Sequence, residues 1–332
     1  MIGNGAARSP EIHVLSRSDL EDIDFSPEEV IEFVESTYTA IAGRVSYYPA
    51  KLAMSIPGGE HAATTYSMLG YDGITNHIGF RATYRQGEDQ TKNYFPTISL
   101  FDNTTGCPFV MMDCLKVGAT RTPAVTALIA KHCAAPDARS ALVIGTGAQG
   151  TNTFPYLLTV LPKLEKLRLY GTHPDGLLAM KSRLRKFFPD RDIEVVKNVP
   201  DAAALSDIVV VASGRASHPK VKTSWLKPGG LLISVASKGL DAAAWEEADY
   251  TVATSETQFS ALGFRLNKPQ RGTAIDAELP DIVVGNKPGR DNPGSRIFAF
   301  NSGLIVADIP IAHALATRAI AAGKGRRLDL WN

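Results

Sequence analysis

The sequence predicts an α/β protein in which a unit with a parallel sheet interrupts a second, α+β unit. Two patterns support this prediction. From about residue 119 onward, short apolar strands alternate with helical stretches, which is typical of a parallel sheet covered by helices on both faces. Upstream, segments rich in β-branched and aromatic residues follow one another between turns, which is typical of an antiparallel sheet.

The upstream part of the chain begins with a predicted helix. Ser26-Pro27-Glu28-Glu29 is a capping box with proline at the first helical position, and apolar residues recur at helical spacing up to Gly43. We therefore expect a helix over 27–42. The segment 102–106, Asp-Asn-Thr-Thr-Gly, predicts a hairpin turn. The predicted strands of this sheet span 50–56, 77–84, 95–101 and 108–114.

The downstream part carries the alternating pattern. A segment rich in proline and glycine, 280–296, predicts a loop that leaves the parallel-sheet unit, and the apolar helix expected over 305–322 packs back on the first unit. We predict an α+β domain over 1–118 plus 305–332 and a parallel-sheet domain over 119–304. The predicted parallel strands span 140–144, 167–170, 193–196, 208–213, 231–235 and 250–254.

Composition excludes several classes of protein. The 332 residues include 35 Lys plus Arg and 34 Asp plus Glu, and this net charge of +1 disfavours nucleic acid and anionic membranes as partners. Three cysteines without a CxxC pair favour a reducing cytoplasm, and we expect no metal site. The first residues lack the apolar stretch of a signal peptide, and we expect no membrane span.

A glycine-rich loop follows the first predicted parallel strand. The loop runs Gly145-Thr146-Gly147-Ala148-Gln149-Gly150 and fits GxGxxG between a strand and a helix. In this pattern the first glycine makes a tight turn, the second lets the backbone approach a pyrophosphate, and the third lets helix and strand pack closely. The sequence therefore predicts a Rossmann-type doubly wound domain that binds a nicotinamide dinucleotide, NAD or NADP, through these residues.

The end of the second parallel strand bears on the choice between the two cofactors. An NAD site usually has an acidic residue there that binds the ribose 2′-hydroxyl, but the segment after Leu169 reads Tyr-Gly-Thr-His. Thr172 and His173 could face a 2′-phosphate, as could Lys181 or Arg183, which favours NADP slightly. Alternatively, this loop only covers the adenine pocket.

Several motifs together resemble the ornithine cyclodeaminase/mu-crystallin family. They are Asp113, the segment Ala119-Thr-Arg-Thr-Pro-Ala-Val125, the loop Gly145-Thr-Gly-Ala-Gln149, the segment 285–290 (GNKPGR), and Phe300-Asn-Ser-Gly303 followed by Asp308. The resemblance implies a Rossmann domain inserted into a split substrate-binding and dimerisation domain, with the active site in the cleft between them. It also implies a homodimer that acts on a small amino or imino acid.

The resemblance implies roles for cationic residues. Arg121 stands where the family holds the substrate α-carboxylate, and a guanidinium offers two parallel donors for that task. We expect Arg121 next to the start of a helix beginning near residue 122, with Thr122 capping that helix and touching the cofactor. An arginine at a helix N-terminus is unfavourable against the helix dipole, which favours a functional role; a surface arginine early in the helix is the alternative. Lys51 falls where the family commonly has a second carboxylate ligand, and a solvated strand lysine is the alternative.

One expected lysine of the family is missing. Matching the flanking residues places it on Gly79, which has no side chain. On a strand, residues 77, 79 and 81 point the same way, so His77 or Arg81 could reach the space. Histidine could serve as a proton donor near neutral pH, whereas arginine could bind an anion. The alternative is that both lie on a solvated face or that the register differs by one residue.

Three further segments complete the predicted site. Lys238 stands where cyclodeaminases carry an aspartate, which favours a reductase or dehydrogenase; a loop lysine bound to phosphate or water is the alternative. Ser213 and Val235 belong to the carboxyl ends of the fourth and fifth parallel strands and are expected to line the cofactor crevice. By resemblance, Ser302 lies beside the nicotinamide.

These observations predict an NAD(P)-dependent oxidoreductase that acts on C–N bonds and exchanges hydride with the α-carbon of an amino acid or a cyclic or N-substituted imino acid. One alternative is ammonia elimination of the ornithine cyclodeaminase type, in which the cofactor is recycled internally; Lys238 and Gly79 disfavour it. Another is a crystallin-like NADPH-binding protein without catalysis, which the missing lysine makes credible.

Overall fold

A computed structural model describes residues 11–57, 62–86, 94–213, 218–235, 239–262 and 275–331. Lys238 therefore lies outside the described residues. In chain order, the strands of the described part are β1 (Glu11–Leu15), β2 (Leu52–Ile56), β3 (Ala63–Asp72), β4 (His77–Gln86), β5 (Thr97–Asp102), β6 (Pro108–Asp113), β7 (Ser140–Ile144), β8 (Lys166–Tyr170), β9 (Glu194–Val195), β10 (Ile208–Val211), β11 (Leu231–Ser234), β12 (Tyr250–Ala253), β13 (Ala277–Glu278), β14 (Ile297–Phe300) and β15 (Arg326–Asp329).

The described α-helices are α1 (Arg17–Leu20), α2 (Pro27–Ala42), α3 (Leu115–Cys133), α4 (Ala148–Thr151), α5 (Thr153–Val160), α6 (Pro174–Phe187), α7 (Val199–Ala204), α8 (Glu256–Leu262), α9 (Leu279–Val283) and α10 (Ile305–Ala321). The helix predicted over 27–42 is α2, and the Glu29 amide donates to the Ser26 hydroxyl as a capping box requires. None of the helices in the described ranges is long and apolar enough to cross a membrane.

The chain divides into two compact units. We call residues 1–25, 43–118 and 305–332 the mixed-sheet unit, and residues 26–42 and 119–304 the parallel-sheet unit. The chain passes between the units after residues 118 and 304. Helix α2 groups with the parallel-sheet unit, although its sequence lies between two segments of the mixed-sheet unit. The substrate-binding and dinucleotide-binding roles of the two units stay predictions.

The mixed-sheet unit contains a sheet with the strand order β15-β1-β6-β5-β4-β3-β2. All neighbours are antiparallel except β1 and β6. Along β4, His77, Gly79 and Arg81 are buried, whereas Phe80 and Tyr84 on the opposite face are exposed. The buried face lies against α10, since a Cβ at Gly79 would contact Ile309. The predicted common direction of residues 77, 79 and 81 is therefore correct.

The parallel-sheet unit contains a sheet with the order β13-β12-β14-β11-β10-β7-β8-β9. Every neighbouring pair in it is parallel. Residues of β7, β10, β11 and β14 are buried throughout, as expected for strands covered on both faces. The run β9-β8-β7-β10-β11 is the strand order of a dinucleotide-binding fold, with its switch point between β7 and β10. The predicted fold class is thus confirmed.

Two predictions, one about a connection and one about the start of a helix, were wrong. The segment 280–296 does not leave the parallel-sheet unit, because it contains most of α9 and leads into β14, which lies between β11 and β12 in the same sheet. The helix expected to begin near residue 122 is α3, which begins at Leu115, where the backbone amide donates to the Asp113 carboxylate. Strands β1, β3, β13, β14 and β15 were not predicted.

Helix α3 contains Pro123, which removes one backbone donor from the helix interior. The carbonyl that loses its partner is that of Ala119, four residues earlier. The side-chain amide of Asn152 donates to this oxygen at 3.4 Å. The proline is therefore tolerated because a side chain replaces the missing hydrogen bond.

Candidate active site

The glycine-rich loop of the parallel-sheet unit begins at a position whose backbone conformation requires glycine. Gly145 has a φ of +111°, and its amide donates to the Tyr170 carbonyl at 2.9 Å. A Cβ at Gly145 would lie 2.8 Å from the Ser213 amide nitrogen. The backbone thus turns with a positive φ in close contact with the peptide between Ala212 and Ser213, just after β10.

The other two glycines of the loop differ in their surroundings. A Cβ at Gly147 would meet nothing within 4 Å, whereas a Cβ at Gly150 would lie 2.0 Å from the Gly145 carbonyl oxygen. The second glycine therefore borders open space and the third makes a close helix contact, which are the roles that a dinucleotide loop requires. Ala148 and Gln149 form the first turn of α4, directly after Gly147.

Polar atoms are buried at the carboxyl ends of β11 and β14. These strands are neighbours, and the Asn301 amide donates to the Ser234 carbonyl at 2.9 Å. The Ser234 hydroxyl, the Asn301 side-chain oxygen and the Ser302 hydroxyl are buried and have no hydrogen-bond partner among the described residues. Buried polar atoms normally have a partner, so these three suit a ligand that carries both donors and acceptors.

The spacing of the strands fits a dinucleotide. Three strand steps separate β7, which carries the glycine-rich loop, from β14. At about 4.8 Å per step this is roughly 14 Å. A pyrophosphate at the loop and a nicotinamide carboxamide near Ser302 are compatible with that separation, so the residues present fit NAD(P). Ser234 and Asn301 were not predicted as site residues, although polar residues directly at the end of an apolar strand are a recognisable feature.

Arg121 lies in the second turn of α3, and its surroundings differ from those predicted. Its guanidinium donates to the Thr122 hydroxyl at 2.7 Å and is buried, with 5% exposure of the residue. A Cβ at Gly303 would lie 2.4 Å from the Arg121 Nη2 atom. The guanidinium therefore lies directly against the Gly303 backbone, beyond the carboxyl end of β14. The helix-dipole argument and the capping role of Thr122 were wrong, because both residues are inside the helix.

Asn301 connects the turn after β14 to α3. Its side-chain amide donates to the Thr122 carbonyl at 3.2 Å and to the Thr126 hydroxyl at 2.9 Å. The Thr126 hydroxyl in turn donates to the Thr122 carbonyl. This network holds the turn that includes Gly303 against the helix that carries Arg121.

The remaining predicted cofactor residues follow strands of the parallel sheet. Ser213 is buried, and the Val235 amide donates to the Val211 carbonyl at 3.0 Å. Thr172 and His173 are exposed after β8. Of the two further candidates for a 2′-phosphate, Lys181 lies in α6, and Arg183 in the same helix has its guanidinium 4.8 Å from the ring centroid of Phe187.

In the mixed-sheet unit, Arg81 forms a buried ion pair. Its Nη1 atom lies 2.7 Å from a carboxylate oxygen of Asp308, which is fully buried on α10. Burial alone would lower the pKa of Arg81, but its interactions with Cys114 and Asp308 outweigh burial and raise this pKa above its ordinary value. A Cβ at Gly118 would lie 3.3 Å from Arg81 Nη2, so the glycine makes room for the guanidinium.

Position 79 has no room for a side chain. A Cβ at Gly79 would lie 2.6 Å from the Ile309 Cγ1 atom, so a lysine there would force α10 away from β4. His77, two residues earlier, is buried with its ring centroid 4.5 Å from that of His313 and 5.6 Å from that of Phe109. Its Nδ1 atom lies 2.6 Å from the Thr75 carbonyl oxygen. Arg81 lies two residues after position 79, where the family lysine was expected, and on the same buried face of β4.

Lys51 directly precedes the edge strand β2 and is partly exposed. Its role as a second carboxylate ligand stays a prediction, as do the roles of His77 and Lys238.

A model of the ornithine cyclodeaminase/mu-crystallin family matches residues 38–323. The chain is 26% identical over 318 residues to the nodulation efficiency protein NfeD of Rhizobium meliloti, covering 94% of this chain and 96% of that protein. It is 28% identical over 254 residues to a Delta(1)-pyrroline-2-carboxylate reductase of Bacillus thuringiensis, covering 70% and 73%.

A solved structure is similar over nearly the whole chain. It is the Thermococcus litoralis Delta(1)-pyrroline-2-carboxylate reductase in complex with NADH and L-proline. The TM-score is 0.80 at 26% identity, with coverage of 96% of this chain and 100% of that chain.

Proposed function

This chain belongs to the ornithine cyclodeaminase/mu-crystallin family, and we propose that it is an NAD(P)-dependent oxidoreductase that acts on C–N bonds. Its reaction adds hydride to the α-carbon of a cyclic or N-substituted imino acid, or removes it from the corresponding amino acid. The observation that carries the proposal is the buried Arg121 guanidinium against Gly303, beyond the same strand end where Asn301 and Ser302 present buried polar atoms.

Arg121 is the proposed ligand of the substrate α-carboxylate. A planar guanidinium can donate two parallel hydrogen bonds to a carboxylate, and burial strengthens such charge-assisted bonds. The Gly303 contact and the Thr122 hydrogen bond fix the plane of the guanidinium. A carboxylate bound in that orientation would place the neighbouring α-carbon in a defined position, which lowers the entropic cost of hydride transfer.

The cofactor would be held by the glycine-rich loop and by the strand ends. The proposed ligands of NAD(P) are Gly145, Gly147, Ala148, Gln149, Gly150, Ser213, Val235 and Ser302, together with Ser234 and Asn301. When bound, reduced nicotinamide supplies the hydride. Relatives named as reductases, and the solved relative that holds NADH with L-proline, support this assignment.

Arg81 is the proposed substitute for the missing lysine. Its guanidinium is always protonated and ion-paired with Asp308, so we assign it a role in holding charge and not in moving a proton. Addition of hydride to an imine also requires a proton on nitrogen. An iminium substrate already carries that proton, so its reduction would not require a proton from Arg81.

The test is a turnover screen. Purified protein is mixed with NADPH or NADH and a panel of cyclic imino acids, or of 2-oxo acids plus amines, and cofactor absorbance and product mass are followed. Oxidation of the cofactor with formation of an amino acid product is expected. Ammonia release from a diamino acid without net cofactor change would instead identify a cyclodeaminase. Cofactor binding without any turnover would identify a non-catalytic binding protein.

The site assignment has its own test. Arg121→Ala should lower kcat/KM about 10²-fold or more while cofactor affinity changes less than about twofold, because only the substrate loses its partner. Arg139→Ala is the matched control, since Arg139 is a half-exposed arginine of the same unit that pairs with Glu165. Equal losses of turnover and cofactor affinity in Arg121→Ala would place the substrate site elsewhere.

A homodimer is the proposed assembly, and the outer face of the mixed sheet is its proposed interface. Leu69, Phe80, Ser99 and Met111 lie side by side across β3, β4, β5 and β6 on the face opposite α10. Leu69 and Phe80 are 48% and 47% exposed, and contiguous exposed apolar surface of this kind is typical of an interface. A dimer by light scattering is expected for the natural chain and a monomer for Phe80→Glu.

A further inference from the structure

The residue directly after β8 is a glycine where NAD-binding proteins of this fold carry an acid. Strand β8 ends at Tyr170, Gly171 follows, and Thr172 and His173 are exposed. The acid in such proteins accepts hydrogen bonds from the ribose 2′-hydroxyl and repels a 2′-phosphate. The next acid along this chain, Asp175, is already in the first turn of α6.

Thr146 of the glycine-rich loop explains why position 171 carries no side chain. A Cβ at Gly171 would lie 2.5 Å from the Thr146 Cγ2 atom, and a Cβ at Gly176 would lie 2.4 Å from the Thr146 Oγ1 atom. Neither glycine has a positive φ, so backbone conformation does not require glycine at either position. The Thr146 side chain therefore occupies the space that an acidic residue at position 171 would need.

A cation follows the neighbouring strand. Strands β8 and β9 are parallel, with Leu169 opposite Val195, and the Val196 amide donates to the Leu169 carbonyl at 2.9 Å. Gly171 follows the carboxyl end of β8 and Lys197 follows that of the neighbouring strand β9, so both residues belong to the same edge of the parallel sheet. Lys197 is exposed, and a lysine ammonium is a suitable partner for phosphate.

We infer that Thr146, Gly171 and Lys197 make this site selective for NADP(H) over NAD(H). Thr146 excludes the carboxylate that would hold a 2′-hydroxyl, and Lys197 supplies charge for a 2′-phosphate. This inference rests on the proposed function, since it requires that the glycine-rich loop bind a nicotinamide dinucleotide. It does not depend on which amino or imino acid is the substrate.

The experiment is calorimetric titration of the full chain with NADPH and with NADH. We expect NADPH to bind at least about tenfold more tightly, as one charge-assisted contact to phosphate would give. In the combined variant Thr146→Ala with Gly171→Asp, the freed space accommodates the carboxylate, and the preference should move toward NADH by about tenfold or more. Thr146→Ala alone is the control for folding and for loss of the threonine.

Lys197→Ala provides a second variant that leaves the loop intact. It should weaken NADPH binding about tenfold without changing NADH binding, whereas Lys163→Ala, which removes an exposed lysine before β8, should change neither. Equal or tighter binding of NADH by the natural chain would overturn the inference, as would an unchanged preference in both the combined variant and Lys197→Ala. Binding of neither dinucleotide would overturn the proposed function and this inference with it.

Discussion

The two sheets of this protein bury polar groups in different places. In the mixed sheet, Arg81 lies in the middle of β4 and pairs with Asp308 beneath α10. In the parallel sheet, the central strands are apolar along their length, and buried polar side chains such as Ser234 and Ser302 stand at the carboxyl ends or just beyond them.

This difference follows from how the strands are covered. An antiparallel strand with one face toward a helix alternates its side chains, so a single buried position can carry a charge if a partner faces it. In the central parallel strands β10, β11 and β14, both faces are covered by apolar side chains, and the buried polar side chains stand at the strand ends. Arg168, in the middle of β8 and nearer the sheet edge, is an exception, and its guanidinium donates to the Leu205 carbonyl and the Ser206 hydroxyl. Changes in the mixed sheet should therefore act on folding, and changes at the parallel strand ends on binding.

The largest expected effect comes from breaking the buried ion pair. Asp308→Asn leaves the Arg81 guanidinium buried without its counter-charge, and we expect the free energy of unfolding to fall by about 3–5 kcal/mol in urea denaturation. Glu11→Gln removes one partner of the exposed pair with Arg327 and should cause no measurable loss. A loss below about 1 kcal/mol in Asp308→Asn would contradict the view that this pair supports the mixed sheet.

Replacing both partners separates stability from function. Arg81→Met combined with Asp308→Leu removes both charges, so most of the stability should return, as is often observed for buried pairs. If Arg81 also holds charge for the reaction, turnover should stay low in this variant. Recovery of full turnover would limit Arg81 to a structural role.

The second expected effect is on substrate binding. Gly303→Ala places a methyl group where the Arg121 guanidinium lies, so the guanidinium must move. We expect kcat/KM to fall about 10²-fold, since displacements of about 1 Å can cost this much, while cofactor affinity stays unchanged. Gly294→Ala is the matched control, because its Cβ would meet only the Asn292 side-chain oxygen at 3.5 Å. Unchanged kinetics in Gly303→Ala would show that the guanidinium position is not critical.

The third expected effect is on dinucleotide affinity, and it differs between two glycines of the same loop. Gly147→Ala adds a methyl group in open space, so the free energy of unfolding should be unchanged while dinucleotide affinity falls about tenfold or more through contact with the pyrophosphate. Gly150→Ala adds a methyl group against the Gly145 carbonyl oxygen and should lower stability as well as affinity. Stability loss in both variants would mean that Gly147 has a packing role instead.

The smallest expected effect is a pH dependence of the mixed sheet. Burial, and then the neighbouring His77, lower the pKa of His313 below its ordinary value of about 6.5, although Asp72 opposes this. Because the unfolded chain takes up the proton more readily, stability is full above this ordinary value and decreases as the pH falls below it. His313→Gln should flatten the decrease between pH 7 and pH 5 in urea denaturation. An identical slope in both proteins would assign the decrease to other groups.

Six of the eight parallel strands could be predicted closely, whereas β13 and β14 were not predicted, and the strands of the mixed sheet could be predicted less well. Predicted strand 140–144 is β7 without a shift, because a strand buried on both faces is a continuous apolar run. Strand β3 was not predicted, since Thr64-Thr65-Tyr66-Ser67 is polar and Gly70 interrupts the run. Its ten residues are specified by pairing with β4 and by the close approach of Ile305 to Gly70, which no local pattern reveals.

The candidate site divides in the same way. The family could be recognised from the resemblance of several motifs along the chain, and the dinucleotide loop because its glycines serve local backbone geometry, as the φ of Gly145 shows. The contact of Arg121 with Gly303 and the ion pair of Arg81 with Asp308 join residues 182 and 227 positions apart. Such pairings have no local sequence pattern.

The sequence by itself determined the α/β class, six of the eight parallel strands and the position of the glycine-rich loop, because each rests on hydrophobic periodicity or on backbone geometry within a few residues. It also determined the family, through the resemblance of several motifs along the chain. Only the tertiary structure decided that α3 runs through Pro123 and that position 79 excludes a lysine. In both cases the deciding atoms, the Asn152 amide and the Ile309 side chain, come from distant segments that packing brings into contact.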